Sequence, residues 1–70
     1  MAQQTIELKI TGMTCDHCVH AVTGALQGVA GVAEAKVDLA ANAATVKGDG
    51  VDPAALVAAV EEEGYEAVPA

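Results

Sequence analysis

A chain of 70 residues is one small domain, and at that length only about three-fifths of the unfolded surface is buried on folding. Apolar residues make up 53%, yet Phe and Trp are absent and Tyr65 is the lone aromatic, so the core must be built from small aliphatic side chains. Ten acids against three lysines give a formal charge of −7, which excludes ordinary nucleic-acid binding and attraction to an anionic membrane surface. Met1 to Thr5 has neither a basic segment nor an apolar run, so no signal peptide is expected. No apolar run is long enough to span a bilayer. The expectation is a single domain over residues 1–70, cytoplasmic and free of membrane insertion.

From Thr5 to Ile10, Ile6, Leu8 and Ile10 alternate with Thr5, Glu7 and Lys9, the pattern of a half-buried strand. Gly12 breaks that pattern and opens a loop through Met13 and Thr14. From about Asp16 to Gln27 the period becomes helical, with Val19, Val22, Leu26 and Val29 on one stripe. Gly28 and Gly31 are expected to end this helix. A second strand is predicted from Val32 to Leu39, with Ala33, Ala35, Val37 and Leu39 on its inner face. After a short connection in which Asn42 can take a left-handed conformation, Ala44 and Val46 alternate with Thr45 and Lys47 in a third strand. Gly48-Asp49-Gly50 is expected to be a flexible turn. Asp52-Pro53 starts a second helix, with an N-cap acid and proline at the first position. Leu56, Ala59 and Val60 form its buried stripe, and Gly64 caps its end. Tyr65 to Pro69 makes a last strand at an edge, because Pro69 cannot donate to a ladder. With right-handed crossovers, the order folds as an α+β, ferredoxin-like βαββαβ open-faced sandwich: a four-stranded antiparallel sheet with two helices on one face.

Chemistry concentrates in Gly12-Met13-Thr14-Cys15-Asp16-His17-Cys18, at the junction of the first strand and first helix. Three-residue spacing brings both sulfurs together at the helix N-terminus, where free backbone N–H groups and the helix dipole favour thiolates. Two thiolates with no further donor suit a soft ion of low coordination number, such as Cu(I). Zinc wants about four ligands, and a second Cys pair is lacking. His17 lies between the cysteines and should splay away, and His20 is most of a turn further on; both are read as exposed and non-ligating. A thiol-disulfide protein is the rival of a different class, but the chain is short for a thioredoxin-like domain. A plain disulfide across so short a loop would stabilise little.

Gly12-Met13-Thr14-Cys15-x-x-Cys18, the βαββαβ order and Gly64-Tyr65 before the last strand resemble the heavy-metal-associated domain family, over about Thr5 to Val68. Within it the chain is most similar to bacterial cytosolic copper chaperones. The resemblance implies a non-enzymatic Cu(I) carrier, able to take other soft ions such as Hg(II) and Ag(I), that passes copper to the metal-binding domain of a copper-transporting P-type ATPase. A copper-responsive repressor is a second implied partner, and the implied state is a monomer without metal that can pair through a shared ion. Ligand roles fall on Cys15 and Cys18. Around them the resemblance sets Met13, packed beneath the loop, Thr14, and Tyr65, which shields or tunes the site. Glu61-Glu62-Glu63 is read as a solvated helix face. The alternatives are a mercury-binding domain of the same family, a metal-binding domain cut from an ATPase, and a small dithiol redox protein. Met1 and an end just after the last strand favour a free-standing chain over the excised domain.

Overall fold

The computed structural model describes residues 3–70, so the reading of Met1 and Ala2 lies outside the described residues. Six elements follow in order: β1 (Gln4–Thr11), α1 (Asp16–Gln27), β2 (Val32–Asp38), β3 (Ala43–Gly48), α2 (Pro53–Glu62) and β4 (Glu66–Pro69). The strands form one sheet in the order β2-β3-β1-β4, antiparallel throughout. Its register sets Leu8 opposite Ala44, Ile6 opposite Val46 and Ile10 opposite Ala67. These inward residues meet Val22 and Leu26 of α1 and Leu56 and Val60 of α2 in one cluster, which Met13 and Val51 complete. Glu7, Lys9, Lys36 and Lys47 on the other face are exposed. Alternation in β1 and β3 and the helical stripes of both helices thus account for the open-faced sandwich.

Several local devices follow from single residues. The Asp52 carboxylate accepts from the Ala54 N–H at 3.0 Å, capping α2 with Pro53 at its first position. At the other end Gly64 takes φ +92°, its N–H bonding Glu61 O while the Tyr65 N–H bonds Val60 O. That pair of bonds is a Schellman cap, and it fixes the direction in which Tyr65 leaves the helix. Asn42 takes φ 51°, as its position between β2 and β3 predicts.

As expected, α1 ends at Gly28, its C-cap, which is right-handed at φ −77°, and the left-handed step follows at Gly31, φ +89°. Two expectations require correction. A bulge between Val32 and Glu34 shifts the phase of β2, so Val32 is half-buried and Ala33 exposed; an extra residue in one strand reverses the facing of everything before it. Gly48 does not belong to a flexible turn. It is the buried last residue of β3, and the next N–H, of Asp49, donates to Gly31 O at 3.0 Å.

Candidate metal site

The site stands at one end of the sheet, where β1 stops and α1 begins. Gly12, at φ +106°, turns the chain out of β1, and Met13 drops into the core with only 7% of its surface exposed. Met13 is therefore a packing residue beneath the loop, its thioether filling the space under the cysteines. Cys15 is the N-cap of α1, in extended conformation, and its carbonyl accepts from the N–H groups of Cys18 (3.0 Å) and Val19 (3.3 Å). Cys18 follows in the first turn. The two Sγ atoms lie 3.8 Å apart, within the span of about 4.6 Å that two metal–thiolate bonds of about 2.3 Å can reach.

The two thiols differ in surroundings. Cys15 is exposed, while Cys18 is half-buried against the core, one helical turn before Val22. A hydrogen bond from the Thr14 backbone is the main cause that lowers the Cys18 pKa to about 6, helped by the Tyr65 hydroxyl and the Cys15 backbone and opposed by partial burial. The Thr14 hydroxyl, 3.8 Å from Cys18 Sγ, adds to the effect. The same bond seen from the other side raises the Tyr65 pKa, which partial burial and the nearby cysteine charges raise further. A hydroxyl donating to a thiolate favours the charged sulfur and the neutral phenol together.

Tyr65 reaches the loop for two reasons. The cap at Gly64 aims it, and β4 pairs its first residue, Glu66, with Thr11 at the end of β1. Gly12 lies against the ring: a Cβ there would make ordinary contact with Tyr65 Cδ1 at 3.4 Å, so it is the φ of +106° and not space that calls for glycine. Thr14, Cys15, Cys18 and Tyr65 therefore come together, and Met13 lies below them. His17 and His20 are both exposed, and among the described residues no three His, Cys, Asp or Glu side chains gather in a way that could hold an ion. An open groove of about 640 Å³ beside the β2–β3 turn takes in Asp16 and Val19 but neither cysteine. The influence of Tyr65 on the Cys18 thiol and the half-burial of Cys18 are the features that spacing alone missed, although Cys18, Val22 and Leu26 at four-residue steps carry the second.

One outcome follows from the asymmetry. In the metal-free protein, alkylation of Cys18 by iodoacetamide should rise with pH through a midpoint of about 6. Tyr65→Phe removes a donor to the thiolate, so the midpoint should move upward. Peptide mapping after brief alkylation at a series of pH values checks both; an unmoved midpoint in the variant would show the hydroxyl to be idle.

The model of the heavy-metal-associated domain matches residues 7–66. The chain is 52% identical over 64 residues to copper-transporting ATPase 2 of Rhizobium meliloti, covering 89% of this chain and 8% of that protein. It is equally 52% identical over 62 residues to a mercuric reductase of Serratia marcescens, covering 87% of this chain and 14% of the reductase. Among solved structures, a CopZ metallochaperone superposes with a TM-score of 0.83 at 33% identity, covering 96% of this chain and all of that one. The chain spans only 7% to 8% of the length of the bacterial copper ATPases that it resembles. With a family match over most of its length, and with the fold and the paired cysteines in agreement, the chain belongs to the heavy-metal-associated domain family.

Proposed function

We propose that residues 1–70 act as one unit, a cytoplasmic Cu(I) metallochaperone that holds its ion on Cys15 and Cys18 and passes it to the metal-binding domain of a copper-transporting P-type ATPase. The observation that carries this is the pair of sulfurs 3.8 Å apart at an exposed helix start. Two thiolates suit Cu(I) in kind and number, and free thiols suit a reducing compartment. Copper-transporting relatives and the CopZ likeness support the choice of metal and partner.

The chemistry is ligand exchange, not catalysis. Cu(I) on two thiolates leaves one net negative charge, which the N-terminus of α1 partly offsets. A two-coordinate ion has open positions, so a partner's thiolate adds before either original bond breaks, and the ion is never released to water. Exposed Cys15 is the sulfur that a partner reaches and that leaves first. Cys18, held by the Thr14 backbone and Tyr65, keeps the ion until the transfer is complete. The mercuric-reductase relative supports a second reading, Hg(II) handling, because that ion also accepts two thiolates.

Wild type and the double variant His17→Ala/His20→Ala should both take up one Cu(I) per chain with similar affinity. Both should hand it to a purified copper-ATPase metal-binding domain, seen by separating the two proteins and measuring copper in each. A strong loss of affinity in the double variant overturns the two-thiolate site. A strain lacking the gene that is sensitive to Hg(II) and indifferent to copper overturns the copper reading in favour of the mercury one.

A further inference from the structure

We propose that the free edge of β2 pairs with β2 of a second copy, joining two sheets about a two-fold axis at Ala35 without any metal. β2 ends the strand order and, among the described residues, pairs with β3 alone, so every second backbone N–H and C=O along it points outward, ready for another strand. A lysine on an edge ordinarily repels such a strand. Here Lys36 has Glu34 two residues away on the same exposed face, and that spacing turns the guard into a selector of register.

Opposite residues of an antiparallel pair share a face, so the symmetric registers are those centred on a residue. Centring on Glu34 sets Glu34 against Glu34, and centring on Lys36 sets Lys36 against Lys36; like charges directly opposite destabilise. Centring on Ala35 sets Glu34 against the second copy's Lys36 and Lys36 against its Glu34; centring on Val37 would set Lys36 against Asp38, but Val37 lies one residue from the end of β2 and that register pairs only three residues of the strand, whereas Ala35 is its midpoint. Within one copy Glu34 already faces Lys47 of β3, so charges would alternate along that row from the second copy's Lys36 through Glu34 to Lys47. On the inner face half-buried Ala35 would meet its twin, beside half-buried Val37. The bulge at Val32 and Glu34 keeps the regular pairing short, so the association is weak, with Kd on the order of 1 mM.

The antiparallel arrangement points the two cysteine loops to opposite ends of the joined sheet. This pairing is therefore distinct from one bridged by a shared ion. Reduced wild type in the presence of a Cu(I) chelator should sediment increasingly as a dimer as its concentration approaches about 1 mM. Dilution should move the amide signals of Ala33 to Val37 and leave those of Cys15 and Cys18 in place. Glu34→Lys and Lys36→Glu should each weaken self-association about tenfold, since both symmetry-related pairs become repulsive. An equimolar mixture of the two variants, in which every facing pair is again opposite, should recover it. A wild type that stays monomeric, dilution shifts centred on residues 12–18, or a mixture no tighter than its components would each overturn the proposal.

Discussion

Cys15→Ser and Cys18→Ser should each abolish tight Cu(I) binding while the domain stays folded. Removing an outer partner of a metal ligand typically costs about 10- to 100-fold in affinity. Losing one of two ligands should exceed that range, because a serine hydroxyl is a hard, protonated donor where a soft thiolate stood. The fold should survive in both cases. Cys15 is exposed, and half-buried Cys18 gives way to a side chain of nearly its own size. Competition against a chromogenic Cu(I) chelator measures the loss, and circular dichroism checks the fold. Wild-type affinity in either variant would mean that the second sulfur is not a ligand.

A far larger effect on stability should come from the opposite end of the molecule. A Cβ on Gly48 would overlap the carbonyl oxygen of Gly31 and stand 2.6 Å from Val51 Cγ2. Val51 can turn, but the Gly31 oxygen is backbone and is held by the Asp49 N–H. Gly48→Ala should therefore cost about 3 kcal/mol, from a total of roughly 4–10 kcal/mol expected at this size. The gain from reduced unfolded-state entropy, under about 1 kcal/mol, is too small to reverse the sign. Gly24→Ala is the matching control. A Cβ there meets nothing within 4 Å, and alanine in a helix interior is better than glycine by about 1 kcal/mol. Urea denaturation of the two variants should show midpoints moving in opposite directions. A Gly48→Ala protein as stable as wild type would mean that the 31 and 48 segments separate at little cost.

Legibility in the sequence varied with the range of the interaction. The alternation of Ile6, Leu8 and Ile10, the Asp52-Pro53 start and the left-handed Asn42 are each decided within a few residues, and the structure agrees with all of them. The convergence of Cys15 and Cys18 is equally local, a matter of helical rise over one turn. What escaped depends on residues far apart. The β2 bulge arises where Val32 and Glu34 meet Gly48 and Lys47, and alternation that looks regular in sequence cannot reveal an unpaired residue. Gly48 reads as turn punctuation until Gly31 is brought against it, 17 positions away in the chain. Tyr65 was set beside the cysteines by family likeness alone. Its place beside the cysteines depends on the cap at Gly64, which directs the chain, and on the pairing of Glu66 with Thr11, which brings that cap to the end of β1.

Tyr65 is also the chain's entire aromatic complement, since Phe and Trp are absent. A core of aliphatic side chains is dark in the near ultraviolet, so all the phenol absorbance and emission of the domain originates beside Cys18. There is no indole to drain that emission or to mask it. Protonation of the neighbouring thiol, arrival of an ion and departure of the ion to another protein all change the surroundings of that one ring. The domain thus carries a single intrinsic chromophore at the place where its cargo is exchanged, and loading can be followed optically with no label attached.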